Sequence, residues 1–177
     1  ITAEIRLPEA LEQGLLSPFQ YYCISDDTEL TDEEIWHSGK YIDSELSKRL
    51  CTKQRTALIV KTLNYYLADE QKVKALCFCT DKDHAKYTAE NLSIAGLKAD
   101  YLVSGDLERV KRKEVVNKLR HGEINYLCVV DIFNGGVDIP EIDTVLFLRP
   151  TESLTIFLQQ LGRGLRLCPE KEVLAVF

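Results

Sequence analysis

The chain has no methionine, one tryptophan and five prolines among its 177 residues. No stretch approaches the eighteen or so consecutive apolar residues of a membrane-crossing helix, and no basic-then-apolar leader opens the sequence. Six cysteines (23, 51, 77, 79, 128 and 168) lack zinc-ligand spacing, so a zinc-ribbon scaffold is excluded and reduced thiols in a cytoplasmic protein are expected. Cys77 and Cys79, two apart in an apolar run, are expected on opposite faces of a strand. Net basic charge is also missing. At −6 the chain is unsuited to a nucleic-acid footprint spread over its whole surface. No G-x-G-x-x-G follows an apolar run, which excludes a dinucleotide oxidoreductase of the Rossmann kind. No G-x-x-x-x-G-K-[ST] and no D-E-x-[DH] occur either. The chain therefore has no glycine loop to cradle phosphates and no acidic box to hold a metal, and no metal site is expected within it.

What is present is an ordinary globular mix, 45% apolar and 28% charged, long enough to bury one substantial core. The first residue is Ile1 and the last lies inside "EVLAVF". Both ends read as cut, and the chain is expected to be part of a longer protein. From residue 74 onward, short apolar runs alternate with polar-patterned helical stretches: "ALCFC" (75–79), "ADYLV" (99–103), "YLCVV" (126–130), "TVLFL" (144–148) and "VLAVF" (173–177). Continuous apolar strands separated by helices predict a parallel sheet covered on both faces, a three-layer α/β/α sandwich. Asp83 is the expected cap of the first intervening helix, Gly96 its terminator, and Thr151 or Ser153 the cap of the last. Residues 1–70 read as a separate lead-in. It holds an acidic loop, "SDDTELTDEE", running into a helix start, an extra strand at "FQYYCI" (19–24), and a helix over 55–67.

In open parallel sheets ligands collect at the carboxyl ends of the strands. Thr80 and Lys82 follow the first strand and could touch a phosphate backbone. Ser104, Gly105 and Asp106 follow the second and begin a helix whose amides could hold an anion. That helix belongs to a locally basic patch, since 105–121 has six bases against three acids. After the third strand, Gly135 and Gly136 permit close backbone approach to a ligand. Asp138 beyond them could bond ribose hydroxyls, or could simply cap a turn. Finally Gln159, Gly162, Arg163 and Arg166 form Q-x-x-G-R-x-x-R. The arginines are three apart, so both can reach one side of a helix. Their planar, permanently charged forks suit a γ-phosphate and the charge of its transfer.

Taken in order over about residues 74–177, "ALCFCT", "VSGDLERVKR", "VVDIFNGGVDIPEIDTVLFLRP" and "QQLGRGLR" resemble the second, C-terminal RecA-like domain of superfamily-two DEAD/DEAH-type helicases. The lead-in "EIRLPEALEQGLLSPFQYY" is similar to that of the DNA-directed branch related to restriction-enzyme motor subunits. Gln159 agrees, standing where DEAD-box proteins usually carry histidine. The resemblance implies a RecA-like domain, a P-loop NTPase fold without its P-loop, over 71–177. It implies ATP with Mg2+ as the nucleotide, the metal held mainly by an N-terminal RecA-like domain outside this chain. DNA rather than RNA would be the nucleic acid, with no membrane partner. Arg163 and Arg166 would act as arginine fingers, with Arg166 the leading candidate for transition-state stabilisation. Gly136, Asp138 and Gln159 would lie on the nucleotide side, and Thr80, Lys82, Ser104 and Gly105 on the nucleic-acid backbone. Arg112 would pin its own helix. Two positions depart from the pattern: Val130 stands where the fifth motif often has threonine, and Gly135 where a charged residue is common. The expected function is the C-terminal motor domain of an ATP-dependent DNA helicase or translocase, inactive alone. The alternative is a non-catalytic RecA-like binding module.

Overall fold

Six short parallel strands form the centre of the computed structural model, which describes residues 6–31, 33–37, 40–103, 109–130, 139–151 and 153–177. They are β1 (Phe19–Tyr21), β4 (Ala75–Phe78), β5 (Ala99–Leu102), β6 (Tyr126–Val129), β7 (Thr144–Phe147) and β8 (Leu174–Val176). Their order across the sheet is β1-β8-β7-β4-β6-β5, with every pairing parallel. A separate antiparallel ribbon joins β2 (Trp36–His37) to β3 (Lys40–Tyr41).

Alternation along the strands divides the core into two layers, as the two-residue period of a pleated strand requires. Leu76, Phe78, Leu127, Val129, Val145, Leu174 and Val176 point to one side, where they meet Val115, Val116 and Leu119 of α5 (Arg109–Arg120) and Leu161 of α6 (Leu154–Gly164). Ala75, Cys77, Tyr126, Cys128 and Leu146 point to the other, against Leu63 of α3 (Lys53–Tyr66) and Ala85, Ala89 and Leu92 of α4 (Lys82–Ile94). Helices on both faces of a parallel sheet give the three-layer α/β/α architecture expected from the apolar runs. Cys77 and Cys79 lie in the same layer, with Cys128. The expectation of opposite faces fails because two steps along an extended chain return a side chain to its original side.

The lead-in adds α1 (Leu7–Glu12), β1 and α2 (Asp43–Leu50). Strand β1 extends the sheet beyond β8. Beyond the acidic loop comes the β2–β3 ribbon, tied by an edge-to-face contact of Trp36 and Tyr41 at 4.6 Å, so helix α2 begins only at Asp43. Helix α4 is capped by Asp81 rather than Asp83: Asp81 accepts from the His84 amide, and Asp83 lies in the first turn. At the far end Gly96, with φ +90, takes the left-handed conformation that closes the helix at little steric cost. Ser153 is the cap residue of α6.

Candidate nucleotide-facing site

The sequence-predicted residues fall at the carboxyl ends of the strands and on α6. Gly136, Asp138, Ser104 and Gly105 lie outside the described residues. Gln159, Arg163 and Arg166 are described, as are Thr80 and Lys82.

Helix α6 is inward-facing at Phe157, Gln160, Leu161 and Gly164, the spacing of a single buried stripe. Gln159 and Arg163, four apart, share the adjoining stripe; Gln159 is exposed and Arg163 half-buried. The helix stops at Gly164, with Leu165 as its C-cap, so Arg166 lies one residue beyond the cap. Arg163 therefore sits in the last turn of the helix and Arg166 just after its cap, rather than on one continuous helical face.

That ending is braced from outside. The last carbonyls of a helix lack intrahelical donors and need other partners. Here Lys171 Nζ donates to the Gly164 carbonyl at 2.8 Å, the Ser17 amide to the Leu165 carbonyl at 2.8 Å, and Ser17 Oγ to the Arg166 carbonyl at 3.0 Å. Ser17 is 1% exposed, so the lead-in supplies a buried support to the arginine-bearing turn. Lys171 also donates to the carbonyls of Pro140 and Ile142, each at 3.0 Å.

Gly164 explains how α6 comes so close to the sheet. A Cβ at this position would lie 2.7 Å from Leu174 Cδ1 and 3.1 Å from Val145 Cγ2. The other glycine of the motif, Gly162, has nothing within 4 Å of such an atom. Packing therefore requires Gly164, a residue outside the Q-x-x-G-R-x-x-R pattern, and places no demand on Gly162. Burial, with the positive charge of Arg112 adding to it, pulls Arg163 below the ordinary arginine range. Arg112 comes from α5, so two helices packed on the same face of the sheet bring these arginines near one another.

The edge around Thr80 differs. Thr80 is 3% exposed, and its amide donates to His84 Nδ1 at 3.2 Å. Lys82, the first residue of α4, is exposed. Asp81 between them accepts from the His84 amide and from Ser47 Oγ of α2, both at 2.8 Å, tying the lead-in to this edge. Of the two, only Lys82 offers its side chain to solvent in this arrangement.

His84 is pushed down to about 4, first by burial and then by the charge of Arg55, with Asp81 opposing. The neutral ring accepts the Thr80 amide, a role the protonated ring cannot fill. Because the folded value lies below the unfolded one near 6.5, its contribution is fully present above that value and is lost as pH falls toward 4. About 3 kcal/mol is the ceiling for this effect. Urea unfolding at pH 7 and pH 4.5 should show the wild-type chain losing about 2 kcal/mol more than His84→Gln, which cannot charge. Equal acid losses would contradict this role.

A cavity of about 500 Å³ opens at the carboxyl ends of β1, β7 and β8, lined by Tyr22, Arg55, Arg149, Pro150 and Phe157 among others. Gln159, Arg163 and Arg166 do not line it. Among the described residues no group of three His, Cys, Asp or Glu side chains could hold a metal ion, and no helix is long and apolar enough to cross a membrane. Gly164, Ser17, Lys171 and His84 were not singled out by the motifs. Only a glycine near a helix end carried any sequence signal.

Residues 57–168 match the family described as "Helicase conserved C-terminal domain". The chain is 33% identical over 127 residues to IRC3 of Saccharomyces cerevisiae, whose name places it with ATP-dependent helicases; this covers 72% of the chain and 18% of that protein. It is 27% identical over 158 residues to the type I restriction enzyme EcoKI endonuclease subunit of Escherichia coli, covering 83% of the chain and 14% of the subunit. Among solved structures, the E. coli DEAD-box protein SrmB bound to the regulator of ribonuclease activity RraA superposes with a TM-score of 0.57 at 26% identity. That match covers 68% of the chain and 67% of the SrmB chain.

Proposed function

The chain belongs to the helicase conserved C-terminal domain family, and from that premise we propose that it is the C-terminal motor domain of an ATP-dependent DNA helicase or translocase. In this reading it supplies Arg163 and Arg166 to an ATP site completed by an N-terminal RecA-like domain. The observation that carries the reading is the arginine turn itself. Residues 163–166 are braced through three consecutive carbonyls, at the end of a helix whose adjoining face presents Gln159.

Hydrolysis of ATP transfers the γ-phosphoryl group to water: the bond from phosphorus to the β–γ bridging oxygen breaks as the bond to the attacking oxygen forms. In the loose transition state negative charge builds on the departing β–γ bridging oxygen while the transferring group flattens, so cations fixed in advance around it stabilise the transition state more than the ground state. Arg163 and Arg166 fill that role when ATP binding closes the two domains. The Arg112 charge raises the local potential without itself needing to reach the phosphate. Gly136 and Asp138 remain assigned to the phosphate and ribose, and Gln159 to coupling nucleotide state to the neighbouring domain. Magnesium, which offsets phosphate charge when bound, is assigned to the acidic box of the N-terminal domain. Lys82, with Ser104 and Gly105, is assigned to backbone phosphates. For Thr80 that contact requires the buried hydroxyl to turn outward.

The preference for DNA rests on Gln159 and on the resemblance of the lead-in to the branch related to restriction-enzyme motor subunits; the chain is 27% identical to one such subunit, of EcoKI, over 158 residues. ATP turnover by the full-length protein tests the whole reading. Duplex DNA should stimulate it most, single strands less and RNA least, while the 177-residue chain alone should show none. Stimulation by RNA but not DNA would overturn the substrate assignment. No turnover with any nucleic acid would overturn the motor assignment in favour of a binding module.

A further inference from the structure

We propose that Lys171 is a positioning residue for the arginine turn, fixing it against the segment 140–142. This rests on the reading of Arg163 and Arg166 as fingers. An ammonium has three N–H donors, and Lys171 directs them to three backbone carbonyls: Gly164 at 2.8 Å, and Pro140 and Ile142 at 3.0 Å. The first closes α6 one residue after Arg163 and two before Arg166. The other two flank Glu141, just after the run that ends at Asp138. One side chain therefore joins the arginine turn to the segment that follows Asp138, more than twenty residues away in sequence.

A positive group at a helix carboxyl end is also favourably placed against the helix dipole. Burial pulls Lys171 below the ordinary lysine range, while Cys168, Asp143 and Glu141 hold it up. A half-buried ammonium with all its donors on main-chain oxygens is a strut. It does little for solubility and reaches no substrate. Its effect on hydrolysis must pass through the arginines it places.

The test uses the full-length protein and measures kcat and KM for ATP in the nucleic-acid-stimulated reaction. Lys171→Met keeps the aliphatic stem and removes the donors. It should lower kcat at least tenfold with KM changed less than threefold, because nucleotide contacts on the partner domain are intact. Lys171→Arg should recover part of the loss. Combined with Arg163→Ala and Arg166→Ala together, Lys171→Met should add less than a twofold further loss, since a strut for absent fingers has nothing to place. A folded Lys171→Met enzyme with kcat within twofold of wild type would overturn the proposal. So would a triple variant tenfold slower than the two alanine substitutions alone. Should Lys171→Met fail to fold, Lys171→Gln keeps two N–H donors without the charge, and wild-type kcat in that variant overturns it equally. If Arg166→Ala alone turned over normally, the finger assignment would fall and this proposal with it. An impaired Arg166→Ala beside a normal Lys171→Met would sink the strut alone.

Discussion

Replacing Arg166 by alanine in the full-length protein should lower nucleic-acid-stimulated ATP turnover by about 10³- to 10⁵-fold, the range for loss of an arginine finger. That corresponds to about 4–7 kcal/mol of transition-state stabilisation. The folded domain should be little affected. Arg166 lies past the cap of α6, and its carbonyl, which accepts from Ser17 Oγ, is retained by alanine. Arg166→Lys should recover less than a tenfold part of the loss, because an ammonium keeps the charge without the planar fork. Single-turnover rates at saturating ATP check the expectation. A variant within tenfold of wild type would show that the turn does not serve hydrolysis.

Gly164→Val should be the most damaging single substitution in α6 for stability. The methyl groups would enter space already held by Leu174, which is fully buried, and by Val145 on the neighbouring strand. Overpacking of this kind costs about 1–3 kcal/mol, and valine should reach the top of that range, about 3 kcal/mol. For a chain of this size the melting temperature should fall by roughly 6–12 °C. Gly162→Ala gives the opposite sign in the same helix: its Cβ meets nothing, and alanine is the better helix former by about 1 kcal/mol. Thermal melts of the two variants side by side decide the matter. Equal destabilisation would mean that α6 does not approach the sheet at Gly164.

Much of this fold was legible because a parallel sheet covered on both faces leaves few polar positions in its strands. Residues 75–78, 126–129 and 144–147 are wholly or nearly buried, and each stood out as an unbroken apolar run. The helix that carries Gln159 and Arg163 was legible for a related reason, since its apolar periodicity needs no tertiary information. What escaped depends on chain segments far apart. Ser17 reaches Arg166 across 149 positions, and Lys171 reaches Pro140 across 31, so neither "LLSPF" nor "CPEKE" hints at its partner. The helical stretch "TESLTIFLQQLGRG" ends at Gly164, where α6 ends; the place of Arg166 beyond the cap was missed, because the Arg163–Arg166 spacing suits a helix that continues. The acidic loop was expected to lead directly into a helix. Trp36 and Tyr41 form a ribbon there first, stabilised by a cross-strand aromatic contact that two-residue strands do not reveal through alternation.

The central claim is that the arginine turn acts on the transition state rather than on bound ATP. Affinities of the full-length protein for a non-hydrolysable ATP analogue and for ADP with aluminium fluoride, in wild type and in Arg166→Ala, test it directly. The account predicts that the variant binds the ATP analogue within about threefold of wild type but loses at least about 100-fold in affinity for the aluminium fluoride complex, as differential transition-state binding requires. Equal losses for both ligands, or none for either, would contradict it.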